Sequence, residues 1–352
     1  MIYVEPSVEL YDEKDNFKRI ERCGRISYKS EDKMTENSAE PFFWKIVKLG
    51  HTSVLEHSVI FVRTHAPETY MWMKYILSDY IEATGYQHYI RCSKFDKDDT
   101  IYRPSLEGTD LPIGFCVGKE YLFSGNIRAW RNICTKFRGE ALLHDTFFEH
   151  PAFKDIFEDY DDHEVEYTHE QIEIVDSIPF APEVFEDSYK HNIVTLHITT
   201  DRGIIDEYCR HRSISPTVES SRYVNYADKG VTFVFPWWFE KLDDPEKGKL
   251  YTSMAADFGA RCYEVENSYL EWMSHYKSQQ IARGNLCLWL KSEGAFTGTV
   301  QNWIDLIALR DSPHAHPDAQ KVAKMIEKVL VEQVGVKDLW GVKGNGVDAR
   351  QD

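Results

Sequence analysis

Between Ile193 and Tyr223 the hydrophobic period changes twice, and this limits what the surrounding chain can build. Ile193-Val194-Thr195-Leu196-His197-Ile198-Thr199 largely alternates apolar and polar side chains, the period of a half-buried strand. Asp201-Arg202-Gly203 then turns the chain. Ile204 to Arg210 reads as a short helix with Ile204, Ile205 and Tyr208 on its apolar side. Arg210-His211-Arg212 falls where that helix is expected to end, with Pro216 stopping any continuation. Shortly after, Glu219-Ser220-Ser221-Arg222-Tyr223 adds a further guanidinium and two serine hydroxyls.

Local positive charge needs a reason in a chain whose formal net charge is -17. One reading is a small anionic ligand, because guanidinium forks match phosphate oxygens in bidentate geometry. The plainer reading is a solvated helix end that interacts favourably with the macrodipole. Composition leaves both open. The same net charge argues against nucleic acid, which needs a broad basic face, but not against a mononucleotide in a local basic pocket.

Hydrophobic residues make up 42% of the 352 positions and aromatics 14%, enough for a substantial core. No Pro/Gly/Ser-rich linker divides the chain, so one domain over 1–334 with an insertion at about 63–192 is expected, followed by a polar tail over 335–352. No apolar run reaches membrane-spanning length, and Met1 to Pro6 lacks a signal-peptide pattern. A soluble, cytoplasmic protein without a membrane partner is expected. The seven cysteines, Cys23, Cys92, Cys116, Cys134, Cys209, Cys262 and Cys287, are scattered and form no C-x-x-C pair. That argues against a disulfide framework and a zinc site and favours packed thiols. Cys209 adjoins the basic triplet and has a route to a lowered pKa, although packing is the preferred reading. The acidic run from Asp155 to Asp176, including Asp161-Asp162-His163-Glu164, reads as a solvated loop or insertion, and no metal is expected.

Elsewhere the pattern predicts helices over Ser38–Leu49, Pro67–Ile76, most of Pro245–His275, and a final amphipathic helix through Val322, Met325, Ile326, Val329 and Leu330. Strands are predicted over His57–Val62 and Val231–Phe235, and an irregular stretch over Tyr86–Leu111. Val300, Ile304 and Ile307 line one helical face, which puts Arg310 near a helix C-terminus. Phe123 to Trp130 echoes Phe296 to Trp303, and one short match favours shared turn chemistry over a true repeat. The expected class is α+β, with helices packed around a modest central sheet.

Arg210-His211-Arg212 followed after seven residues by Ser220 resembles the signature of the flavin-dependent thymidylate synthase family. Three further blocks resemble it in the same order: Gly50-His51-Thr52-Ser53-Val54-Leu55-Glu56-His57 near the start, Ala282-Arg283-Gly284-Asn285-Leu286, and Thr297-Gly298 through Trp303 to Leu309-Arg310 and His314-Ala315-His316-Pro317-Asp318. Cys23-Gly24-Arg25-Ile26-Ser27-Tyr28 is similar to its opening segment. The resemblance implies a thymidylate synthase-complementing-protein-like fold and a homotetramer. It implies methylation of dUMP to dTMP, with carbon from methylenetetrahydrofolate and reducing equivalents from NADPH through FAD.

By resemblance, Arg310 is the catalytic arginine that polarises the uracil ring, and it also contacts the substrate. The flavin contacts implied are His51, Ser53 and Glu56, then Arg210, His211 and Arg212, then Thr299, Gln301, Asp305 and His314. The nucleotide contacts implied are Glu207, Arg210, Glu219, Ser220, Ser221, Arg222 and Arg283. The sequence flanks no Cys or Ser with an evident base, so no protein nucleophile is demanded.

Several positions depart from the family pattern. Thr299 and Gln301 stand where Asn and Arg are common, and Asp305 replaces another polar residue. Val218 takes the place of a frequent Glu, with Glu219 one residue later, and Cys287 replaces a usual Pro. These departures keep open a degenerate homologue that binds nucleotide or flavin without methylating; the Arg clusters keep open a non-enzymatic nucleic-acid-binding protein, against which the charge balance counts.

Overall fold

The computed structural model describes residues 1–84, 90–96, 119–158, 172–175 and 188–337. The Asp161-Asp162-His163-Glu164 run, most of Tyr86–Leu111 and the tail from residue 338 lie outside them. The class is α+β. The chain forms two compact units, one from 1–48 with 194–352 and one from Leu49–Ile193.

The first unit is built on a four-stranded sheet ordered Ser7–Leu10, Ile193–Asp201, Lys291–Thr299, Ser215–Val218. The alternating pattern at Ile193 is therefore an inner strand, as its period implies. Ser215–Val218 runs antiparallel to Lys291–Thr299 with Pro216 opposite Phe296. Pro216 does not merely stop a helix. It sits on an edge strand, where a missing N–H leaves no ladder bond unmade. Gly294 on the inner strand has no room for a side chain, since a Cβ there would lie 2.8 Å from the Phe296 ring and 3.1 Å from the Thr217 carbonyl oxygen. A separate parallel pair joins Ile2–Val4 to Thr232–Val234. The Gly248–Tyr276 helix buries Phe258, Cys262 and Tyr269 in a cluster with Phe233, Trp238 and Tyr251.

The signature helix spans Arg202–Tyr208 and begins at Asp201, whose carboxylate accepts from the Ile204 amide at 3.0 Å. The helix carrying Arg310 spans Val300–Arg310. Thr299 caps it in a reciprocal box: its hydroxyl accepts from the Asn302 amide, and the Asn302 side chain accepts from the Thr299 amide, both at 3.1 Å.

The second unit holds a sheet ordered Ile90–Asp96, Lys119–Asn126, Val59–Thr64, Ile172–Val175. Ile90–Asp96 corrects the irregular reading of Tyr86–Leu111: it pairs antiparallel with Lys119–Asn126, a long-range partner that its own local pattern does not announce. The Pro67 helix extends to Thr84, and the strand near His57 starts at Val59 because Thr52–His57 forms a 3-10 turn.

The echo between Phe123–Trp130 and Phe296–Trp303 extends into structure. Each segment is the end of an inner strand, an N-cap and the first turn of a helix. Asn126 accepts from the Ala129 amide at 2.8 Å, as Thr299 does from Asn302. Trp130 and Trp303 are both fully buried. Trp130 Nε1 donates to the Ile60 carbonyl at 3.2 Å, and Trp303 Nε1 to the Val194 carbonyl at 3.0 Å, each on a strand of its own unit's sheet. The likeness thus exceeds turn chemistry, contrary to the sequence reading. Counting on from the paired tryptophans, Gln301 matches Arg128 and Arg310 matches Phe137. The second copy keeps the architecture and lacks the arginine.

Thr299→Ala is expected to lower unfolding stability by about 1 kcal/mol, while Thr299→Asn retains the cap and stays close to the parent, both read from urea unfolding midpoints.

Candidate functional site

The end of the signature helix and the end of the Arg310 helix meet through one guanidinium. Arg310 Nη1 donates to Glu207 Oε2 at 2.7 Å, Nη2 to the Glu207 carbonyl at 2.8 Å, and Nε to His211 Nε2 at 2.9 Å. The signature helix contributes an acceptor from its own last turn, the Glu207 carbonyl, which also takes the Arg210 amide at 3.3 Å. Three of the five guanidinium N–H groups are committed, which fixes the plane and leaves two for a ligand. Tyr208 beneath is buried and donates its hydroxyl to the Ala319 carbonyl at 3.0 Å, tying the same helix to the Pro317–Val329 helix.

His211 accepts from Arg310, so its Nε2 is unprotonated. Burial first, and the Arg310 charge second, push its pKa down to about 4 from 6.5. The middle residue of the triplet is thus a neutral acceptor at neutral pH. Arg210 and Arg212 on either side are exposed, with their charges directed away from the core. Burial pushes the Cys209 thiol up to about 11, so its neighbours do not activate it.

The nucleotide-side segment is anchored differently. Glu219 is buried: Tyr226 donates to its Oε1 at 2.5 Å, and Lys291 to its Oε2 at 2.9 Å. Lys291 also pairs with Glu293 at 2.8 Å, and His197 lies 3.6 Å from the same carboxylate. Burial opposes the charge on Glu293, yet the His197 hydrogen bond and the Lys291 ammonium outweigh it and hold the carboxyl well below its usual range. Burial likewise opposes the charge on Lys291, and Glu219 and Glu293 together reverse that and raise its pKa. Ser220 is half-buried, Ser221 buried and Arg222 exposed over the Tyr223 ring. The Arg202 guanidinium donates to the Glu219 carbonyl at 3.3 Å, so this segment lies against the start of the signature helix and Arg310 against its end.

Other sequence-derived residues are dispersed. Arg283 is exposed on the turn Arg283–Asn285, and among the described residues no hydrogen bond or ion pair joins it to Arg310 or Ser220. Thr299 is spent as a cap, and Gln301 donates to Asp305 at 2.9 Å. At 1.5 Å per residue, Gln301 lies roughly 13 Å along the helix from Arg310. His314 is exposed in the turn after Arg310, while His316 caps the next helix by accepting from the Asp318 amide at 3.2 Å. In the second unit, His51 and Ser53 are exposed on the 3-10 turn, and buried Glu56 accepts from Arg128. Arg128 was missed in the sequence. The Phe123–Trp130 echo is the signal that leads to it, because it sets Arg128 in the place of Gln301. Among the described residues no group of three or more His, Cys, Asp or Glu side chains is placed to hold a metal, and no helix is long and apolar enough to cross a membrane.

An α+β unit that presents a basic helix end around a fixed arginine defines the class of protein. The model of the thymidylate synthase complementing protein family matches residues 184–334, which contain that helix, Arg310 and the strands between them. A curated flavin-dependent thymidylate synthase from Mycolicibacterium vanbaalenii is 31% identical over 153 residues, 41% of this chain. The chain spans 59% of the length of that relative. Over residues 184–334 the chain is thus similar to the thymidylate synthase complementing protein family.

The folded state protonates His211 near pH 4 and the unfolded state near 6.5. The unfolded chain therefore binds the extra proton in that window, and this residue's contribution to stability is lost as pH falls through it. Arg310→Met is expected to move the His211 titration, followed by NMR of the ring protons, up from about 4 but not fully to 6.5, because burial remains.

Proposed function

We propose that this chain methylates dUMP to dTMP, taking the carbon from methylenetetrahydrofolate and the reducing equivalents from NADPH through FAD. The observation that carries the reading is the Arg310 fork, held by both the side chain and the carbonyl of Glu207 and by a neutral His211, beside the exposed Arg210 and Arg212. The fixed plane suits an imide edge: its two remaining N–H groups stabilise negative charge as the uracil ring becomes enolate-like. Ser220, Ser221 and Arg222 offer hydroxyls and a guanidinium to the phosphate, with Arg283 in the same nucleotide role; Glu219, buried with both carboxylate oxygens engaged, anchors the segment and does not contact the nucleotide. No general base is assigned to Ser220, which acts as a binding group.

FAD supplies the redox chemistry when bound. The donor set fits an extended dinucleotide with a pyrophosphate: Arg210 and Arg212 are exposed cations, His211 is neutral, and Gln301 lies far along the helix from Arg310. Flavin contacts are proposed at Arg210, His211, Arg212, Gln301, Asp305 and His314, and at His51, Ser53 and Glu56 in the second unit; Thr299, buried and spent as the helix cap, is not among them. We add Arg128 to that set. Its pairing with Glu56 holds a guanidinium against the turn that carries the exposed Ser53, within the same unit.

The insertion over 63–192, the cytoplasmic setting and a homotetramer with shared sites belong to the same proposal. Neither a homologue without activity nor a nucleic-acid-binding protein draws support from the relatives.

Purified protein incubated with FAD and freed of excess should retain a flavin absorbance band. No bound flavin at micromolar protein counts decisively against the reading. Arg310→Lys should keep the fold and lose about a hundred- to a thousandfold in turnover, roughly 2.7–4 kcal/mol of barrier, because a point charge cannot replace the fork. Arg128→Ala should raise the FAD dissociation constant about tenfold, read from flavin fluorescence, for the loss of one charge-assisted hydrogen bond.

A further inference from the structure

Lys29 has a backbone conformation that its residue type disfavours. Its φ is 47°, in the left-handed region where glycine is preferred. It follows the Asn16–Ile26 helix, where its amide donates to the Ile26 carbonyl at 3.2 Å and the Ser30 amide to the Arg25 carbonyl at 3.3 Å. That is a helix-terminating turn that glycine serves best. What lysine adds is its side chain. The ammonium lies 3.5 Å from Glu219 Oε2 and 3.8 Å from Glu293 Oε1, so it closes the buried charge cluster from the outer side.

The residues just before it grip the same segment. The Ser27 hydroxyl donates to the Val218 carbonyl at 3.2 Å, and the Ser27 carbonyl accepts from the Ser220 amide at 3.1 Å. Tyr28 stacks on Tyr223 with ring centroids 4.6 Å apart. Three consecutive residues thus hold Val218 to Tyr223, and both oxygens of the Glu219 carboxylate are taken up within the cluster. A buried ion cluster is a poor source of net stability, since desolvation offsets attraction, but it strongly penalises any arrangement that unpairs it. Glu219 immediately precedes Ser220, so such a penalty fixes where the Ser220 hydroxyl and the Arg222 side chain stand.

We propose that Lys29 is a positioning residue: acting through Glu219, it holds the Ser220–Arg222 segment in the orientation that receives the phosphate monoester of the nucleotide. The proposal rests on the nucleotide reading given above. It assigns no chemistry to Lys29, which touches neither the ring nor the phosphate.

The test uses Lys29→Gly in the full chain. Glycine suits the left-handed backbone, so the variant keeps the turn and loses the side chain with its ammonium. Lys29→Arg keeps the charge and serves as the rescue. Hydrogen exchange without ligand should be about tenfold faster for the amides of 219–224 in Lys29→Gly, unchanged in the Arg202–Tyr208 helix, and close to the parent in Lys29→Arg. The dUMP dissociation constant, by titration calorimetry, should rise about tenfold in Lys29→Gly while that of deoxyuridine, which lacks the phosphate, stays constant. Unchanged exchange over 219–224 overturns the proposal, as does faster exchange with unchanged dUMP affinity. A parent chain that binds no dUMP overturns the nucleotide reading instead, and the exchange comparison still decides whether Lys29 holds the segment.

Discussion

The hydrogen bonds from one guanidinium organise the family-matched unit. Arg310 spans the C-terminal turns of two helices that lie about a hundred residues apart in sequence, and it does so by donating to the Glu207 carboxylate and, as a second donor beside the Arg210 amide, to the Glu207 carbonyl. Burial first, and the neighbouring Arg310 charge second, keep His211 neutral as the acceptor of that guanidinium. Arg210 and Arg212 are then left as the exposed charges of the triplet. A single geometric constraint therefore separates three adjacent basic residues into one acceptor and two exposed donors.

The nucleotide-side segment depends on a different principle. Its loop has little apolar surface of its own, and it is held by a carboxylate whose charge is compensated inside the sheet by Lys291 and from outside by Lys29. Burial and the adjacent Glu219 charge keep the Tyr226 hydroxyl protonated, so it remains a donor to that carboxylate. Glu219 follows the Ser215–Val218 edge strand directly, and its carboxylate faces Lys291 and Lys29.

The two units share a design without sharing its chemistry. Both use an inner strand, a polar N-cap and a tryptophan whose indole N–H is tied to a neighbouring strand. A buried indole needs an acceptor, and a strand carbonyl beside the sheet supplies one in both cases. The position of Arg310 is Phe137 in the second unit. The position of Gln301 is Arg128, which pairs with Glu56 in the segment that resembles the family's flavin-side block.

Much of this was legible in the sequence. The change from period two to a helical period located the signature helix, although Asp201-Arg202-Gly203, read as a turn, is the cap and first turn of that helix. The stripe of Val300, Ile304 and Ile307 put Arg310 at a helix end, and the spacing of Arg210, His211, Arg212 and Ser220 carried the family resemblance. Such features are local: they follow from residue type and spacing over one or two turns. The sequence alone did not decide which partners those residues take. Ile90–Asp96 became a strand only through a long-range partner, and Pro216 found its place on a sheet edge. Glu219 turned inward to two lysines, one of them Lys29, about 190 residues earlier in the chain. Hydrogen bonds and ion pairs between distant segments depend on where the backbone brings them, and no local period encodes that. The sequence therefore determined which groups were present at the site and on which elements, and the tertiary structure decided which were left to meet a ligand.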